Sequence, residues 1–134
     1  MINRPILVLK CDQGFVGYKG AGSVKLECNK ASYETIQVER VDGGLVHFKG
    51  EQRKHISSLG LWKYFVVGQN GKYWHTSADG ISCDSEVGQG FFMELREPTR
   101  MCIKTSAGQY IVAAKNGGFM AGSSDPEEAT RWEY

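Results

Sequence analysis

The residues able to do chemistry in this chain are few and scattered. Cys11, Cys28, Cys83 and Cys102 are the four cysteines among 134 residues, and none belongs to a CxxC pair. Their spacing matches neither a zinc site nor a dense disulfide framework. They read as reduced thiols in or near a core. His47, His55 and His75 share no ligand spacing with them, so no metal or other cofactor is expected. Glu34, Glu51, Glu94 and Glu97 form no pairing suited to general acid–base work. The serines lack a matched histidine and acid, and no Gly-rich phosphate loop precedes a helix. The pattern points away from an enzyme.

Lysine behaves differently, because it recurs in one context. Three apolar stretches end in or near a lysine: "ILVLK" at Lys10, "LVHFK" at Lys49 and "MCIK" at Lys104. Each is followed by a second piece ("GFVGYK", "GKYWHT", "GQYIVA"), a third ("VKLEC", "GISC", "GGFMAG") and a fourth ("TIQVE", "FFMELRE", "RWEY"). Apolar residues tend to alternate within them, and Gly, Asn or Asp separates several, which is strand-and-turn patterning. Leu9, Phe48 and Ile103 share one slot, with Leu7, Val46 and Met101 two residues earlier on the same strand face. Leu26, Ile81 and Phe119 share another, two residues before Cys28, Cys83 and Ala121. In the fourth piece Ile36, Met93 and Trp132 are aligned, as are Val38, Leu95 and Tyr134.

A unit of four short strands cannot bury its apolar face alone, but three can close on a shared interior. The predicted fold is all-β: a β-trefoil of three pseudo-repeats, at about 5–40, 44–97 and 100–134, within a single domain spanning 1–134. Gly at 17 and Pro at 3 suit a chain of many tight turns.

The second repeat is too long. Lys10 to Phe15 is five positions and Lys104 to Tyr110 six, but Lys49 to Tyr73 is 24. The surplus of about 18 residues is Gly50 to Val67, "GEQRKHISSLGLWKYFVV". Three readings compete. The tract is a functional loop presenting "RKH" and Leu59, Leu61, Trp62, Tyr64 and Phe65 to a partner. Or it is a neutral insertion, which loop closure makes thermodynamically cheap. Or it is a translated in-frame intron, since Gly50-Glu51 and Phe65 to Gly68 permit donor-like and acceptor-like codons. Its large apolar residues need cover. The expectation is a segment poorly ordered or laid over the barrel surface by Trp62 and Phe65.

Bulk properties narrow the partners. A net charge of +1 gives no field favouring nucleic acid or an acidic membrane. No apolar run approaches the length of a membrane span, and "MINRPILVLK" lacks the apolar centre of a signal peptide. A cytoplasmic monomer is expected. Trefoils can bind sugars in shallow pockets, and Trp74 with Asp79 is the candidate carbohydrate pocket. The other repeats offer Val16 and Ile111 in place of the tryptophan.

With the surplus set aside, the chain resembles the fascin family, and within it the last of four β-trefoil domains. "INRPILV", "GFVGYK", "LECNKASYETIQVE", "NGKYW" and the terminal "WEY" stand in the family's order and spacing. The family pattern lacks Gly50–Val67. Fascins crosslink actin filaments into tight parallel bundles and are not enzymes, so the resemblance, and not composition, supplies actin. It implies actin filaments and the other β-trefoil domains of a longer protein as partners. It also implies a place in the cytoplasmic actin cytoskeleton, in filopodia and other bundled-actin protrusions. The family's filament surface, at the cleft between first and last trefoils, matches Lys10, Asp12, Gln13 and Lys19. Lys115 is a second candidate, among the more apolar neighbours Val112, Ala113 and Ala114. Bundling needs two filament-binding surfaces, so one trefoil is expected to bind weakly and bundle poorly.

Overall fold

Short runs of alternating apolar residues, broken by turns, become short strands. The computed structural model describes residues 6–20, 22–40, 46–50 and 72–134, with residues 6, 39, 40 and 46–50 described by backbone alone. The strands of the described residues are β1 (Ile6–Leu7), β2 (Lys10–Cys11), β3 (Gly14–Tyr18), β4 (Leu26–Lys30), β5 (Ile36–Arg40) and β6 (Val46–Gly50). They continue as β7 (Tyr73–Ser77), β8 (Gly80–Ser85), β9 (Phe91–Glu97), β10 (Arg100–Thr105), β11 (Ile111–Ala113), β12 (Phe119–Ala121) and β13 (Trp132–Glu133). Single-turn 3-10 helices at Lys115–Gly117 and Pro126–Glu128 are the other elements of the described residues. The chain is all-β.

One register recurs three times. Lys10 lies opposite Phe15, Lys49 opposite Tyr73 and Lys104 opposite Tyr110. Leu7 pairs with Ile36, Val46 with Phe91 and Met101 with Trp132. Tyr18 faces Leu26, Thr76 faces Ile81 and Ala113 faces Phe119 in the three hairpins between. The main sheet runs β1-β5-β6-β9-β10-β13-β2 before turning into β3 and β4. Only Val8 and Leu9 separate β1 from β2, so the path returns to the segment where it began. Closure of that kind removes free edges. The bridges Lys25–Ser82 and Glu27–Gly118 draw the three hairpins together at one end. This arrangement is consistent with a β-trefoil.

The interior is built from slots filled once per repeat. Leu26, Ile81 and Phe119 are buried together, as are Val16, Trp74 and Ile111. Phe119 sits edge-on between Trp74 and Trp132, with ring centroids 5.3 and 5.2 Å away, and Trp74 meets Phe91 at 6.2 Å. Edge-to-face contacts of this kind add to the area term in a close-packed core. Cys28 and Cys83 occupy the small slot that Ala121 fills in the third repeat.

Two expectations are corrected here. In the fourth strand the residue equivalent to Ile36 and Trp132 is Phe91, not Met93, because Phe91 takes the partner that corresponds to theirs. Met93, opposite Ile103, therefore matches Val38, opposite Phe48. Leu95 is 69% exposed and lies outside the core. A shift of two residues keeps every side chain on its own face, so alternation alone does not detect it. The carbohydrate pocket also fails: Trp74 is 1% exposed, with no face left for a sugar ring.

The surplus tract from residue 51 to 67, with Trp62 and Phe65, lies outside the described residues. The pairing of Lys49 with Tyr73 holds the strands on either side of it together.

Candidate functional surface

Lys10 and Lys104 fill the same slot and meet different surroundings. Each stands across a strand pair from an aromatic ring. Lys10 Nζ lies 5.2 Å from the Phe15 centroid, and Lys104 Nζ lies 5.6 Å from both Tyr110 and Phe92. Phe15 is in turn braced edge-on by Tyr33 at 5.9 Å. The Lys104 ammonium is also 3.1 Å from Glu94 Oε2. Lys10 is exposed and pairs with no carboxylate among the described residues. Its ammonium is held by a cation–π contact and is open to an external anion.

Asp12 and Gln13 form the exposed turn between β2 and β3. The Gln13 side chain is fully engaged within the chain. Its Nε2 donates to the Ala114 carbonyl at 2.9 Å, and its Oε1 accepts from Gly117 N–H at 3.0 Å. One amide thus clamps the 3-10 turn that carries Lys115, a hundred residues further along. That turn needs the clamp, because Asn116 has φ 60 and Gly117 φ 80. The Asn29 amide donates to the Asn116 carbonyl at 3.4 Å from the other side. Lys115 is exposed and without an ion pair among the described residues. The structure therefore brings Lys10, Asp12, Gln13 and Lys115 to one end of the first hairpin. It places Lys19 just beyond the far end of β3, about 16 Å of strand away. There the Lys19 carbonyl accepts from Lys30 Nζ at 3.1 Å.

Beside Lys10 opens a groove of ≈ 560 Å³ lined by Lys10, Cys11, Asp12, Arg100, Thr130, Arg131 and Glu133. Arg100 and Arg131 did not stand out in the sequence. Their guanidinium groups lie 3.8 Å from Glu133 and Glu97 respectively, in exposed pairs that a partner can displace at small cost. A signal was available: Thr-Arg occurs twice, at 99–100 and 130–131, each time before a core residue. Met101 and Trp132, those core residues, are paired, so Arg100 in β10 and Arg131 just before β13 line the same groove. The Thr130 hydroxyl is occupied, accepting from Ala113 N–H at 2.8 Å.

Next to this surface lies a closed polar network. The Tyr110 hydroxyl donates to Glu94 Oε1 at 2.8 Å, Arg96 Nη2 donates to the same oxygen at 2.9 Å, and Lys104 takes Oε2. Desolvation opposes ionisation of Glu94, but the hydrogen bonds from Tyr110 and Lys104 and the charges of Lys104 and Arg96 outweigh it. Its carboxyl is held below the usual carboxylate range. The bond to Glu94 correspondingly raises the Tyr110 phenol, with burial adding to it. Every acidic and basic group here has an internal partner, so the cluster supports structure and offers no base or nucleophile. Among the described residues no three His, Cys, Asp or Glu side chains are placed to hold a metal ion. None of their helices is long and apolar enough to cross a membrane.

Taken together the surface is a rim of four cations, Lys10, Arg100, Lys115 and Arg131, with two acids, Asp12 and Glu133, suited to an extended anionic partner. Residues 18–134 match the family model described as Fascin domain. Fascin-2 of Bos taurus is 31% identical over 135 residues, covering 100% of this chain and 23% of that protein. Fascin-2 of Homo sapiens and Fascin of Strongylocentrotus purpuratus are each 30% identical, with the same coverage. The chain thus spans under a quarter of the length of the curated relatives it matches.

Proposed function

Because the chain belongs to the fascin family, we propose that it is a filament-binding unit of an actin-bundling protein and that it has no catalytic role. In this reading residues 1–134 form one β-trefoil, the last of several in a longer polypeptide of the cytoplasmic actin cytoskeleton. Its partners are actin filaments and the neighbouring trefoils. The filament face is the end of the first hairpin: Lys10, Asp12 and Lys115, extended along the groove by Arg100 and Arg131.

The observation that carries the proposal is the Gln13 clamp. It joins two exposed turns from opposite ends of the chain, holding the turn that carries Lys115 against the Asp12–Gln13 turn. Gln13 itself acts as a positioning residue, since both its polar atoms are engaged. Cations on rigid turns register an acidic filament, and each rim contact adds little by itself. Affinity comes from several together. Lys19, at the other end of β3, belongs to a separate part of the surface and contributes in a different contact.

The test is co-sedimentation of the 134-residue chain with actin filaments across a salt series. Lys10→Glu and Lys115→Glu should each weaken binding several-fold, and the double variant should abolish it with an unchanged thermal midpoint. Equal pelleting of wild type and double variant would move the filament face elsewhere. If only chain containing Gly50–Val67 pellets, the contact lies in that tract.

A further inference from the structure

We propose that Cys11 and Cys28 are a peroxide-responsive dithiol at the floor of the Lys10–Arg131 groove, closing reversibly to a disulfide. Cys11 lines the groove, whereas Cys28 lies beneath it with no exposed surface. Cys11 Sγ donates to the Cys28 carbonyl at 3.4 Å, which brings the Cys11 sulfur directly against Cys28. Cys28 Sγ also donates to the Gly118 carbonyl at 3.3 Å, just after the turn that carries Lys115.

Packing explains one of these cysteines and not the other. Cys28 fills the slot that Cys83 and Ala121 fill elsewhere, so a small buried residue belongs there. Cys11 matches Gly50 and Thr105, so nothing in the fold asks for a thiol at that place. The remaining two cysteines are buried away from the groove. Cys83 Sγ donates to the Lys72 carbonyl at 3.2 Å, and Cys102 Sγ accepts from Arg96 Nε at 3.3 Å.

The chemistry needs a hydroperoxide small enough to enter the groove. Cys11 sulfur attacks one peroxide oxygen and the O–O bond breaks, giving Cys11 sulfenic acid and one water from hydrogen peroxide. Cys28 sulfur then attacks the sulfenic sulfur, the S–O bond breaks, and the thiol proton leaves with hydroxide as a second water. Two thiols are oxidised by two electrons and one peroxide is reduced. Burial, with Cys11 alongside, pushes the Cys28 thiol up to about 12, which disfavours Cys28 as the group that meets the peroxide first. A dithiol reductant reverses the bond by exchange.

The consequence for the filament face rests on the function proposed above. The crosslink ties β2 to β4 across β3, and its Cys11 end lies in the chain between Lys10 and Asp12. It also removes the Cys28–Gly118 contact beneath Lys115. Oxidised chain should therefore bind filaments several-fold more weakly than reduced chain.

The decisive experiment maps thiols without filaments. The 134-residue chain is treated with hydrogen peroxide, alkylated in denaturant and digested without reduction, and its peptides are weighed. A Cys11–Cys28 linked pair that disappears on dithiothreitol treatment is expected. Cys28→Ala, which copies Ala121, should leave Cys11 as a sulfenic acid that dimedone labels. Cys11→Thr, which copies Thr105, should leave Cys28 reduced and alkylatable. The proposal is overturned if Cys28 remains free while wild-type Cys11 proceeds to sulfinic acid. It is equally overturned by linkage through Cys83 or Cys102, or by no dimedone label in Cys28→Ala. Failure of the reduced chain to pellet with filaments would instead strike the proposed function and leave the linkage map standing.

Discussion

Lys10 and Lys104 carry the same side chain in the same slot, and what surrounds them decides their use. Lys104 is bound to Glu94 and lies over two rings, so it is part of the scaffold. Lys10 lies over one ring and faces the groove, so it is available. The Glu94 network gives this contrast a measurable side. Its carboxyl titrates below its ordinary range in the folded chain, so it contributes stability that is complete above the unfolded value. That contribution disappears as pH falls through the folded value. Glu94→Gln should cost about 1 kcal/mol at neutral pH, a modest figure because the pairs are partly solvated. Urea unfolding followed against pH checks this. Wild type and variant should differ at pH 7 and converge below the carboxylate range, whereas a gap that persists in acid would mean the loss is packing. Tyr110 adds the opposite limit: a phenol raised by Glu94 contributes stability below its unfolded value, and that is lost as pH rises through the folded one.

At the scale of elements, a turn is only as useful as the contacts that fix it. The Lys115–Gly117 turn is held by Gln13 from one hairpin and by Asn29 from another. Gly117 has φ 80, and a Cβ there would lie 2.3 Å from the Asn29 side-chain amide. Gly117→Ala should therefore cost about 1–2 kcal/mol for the left-handed backbone alone. It should weaken filament binding by more than the Lys115→Ala change, because it displaces the turn and not just one charge. Denaturation midpoints and co-sedimentation of the two variants separate these effects. The lysine slots, the repeat order and the small Cys28–Cys83–Ala121 slot were legible in the sequence, because each is written three times. The Gln13 clamp was not. It is made once, across a hundred residues, by a side chain whose type says only that it hydrogen-bonds something. Arg100 and Arg131 were missed for a related reason: each is an ordinary surface arginine until Met101 and Trp132 pair and set them side by side. The fourth-strand register escaped because "FFMELRE" offers Phe91, Met93 and Leu95 on one face, and only strand pairing chooses among them.

For the molecule as a whole, closure makes the core a single object, and the extra tract is judged against it. Phe119 touches both Trp74 and Trp132, residues of two different repeats, so its loss opens a cavity shared between them. Phe119→Ala should cost about 3–5 kcal/mol, read from chemical denaturation as one cooperative transition. Gly50–Val67 should behave in the opposite way. Its flanking strands are paired through Lys49 and Tyr73. Removing 18 residues from a separation of 24 leaves six, the separation between Lys104 and Tyr110. The shortened chain would thus use in its second repeat a connection that its third already uses. Shortening the loop that far recovers only about 1 kcal/mol of closure entropy, so deletion should leave the thermal midpoint equal or slightly higher. Filament binding by the face at Lys10, Asp12 and Lys115 should not change, since that face belongs to the first and third repeats. A deletion that fails to fold would make the tract part of the interior and would break the three-fold reading. A deletion that folds but no longer pellets would make it the contact. Unchanged folding and binding, together with a transcript lacking these codons, would identify the tract as a translated intron; without such a transcript it is a neutral insertion.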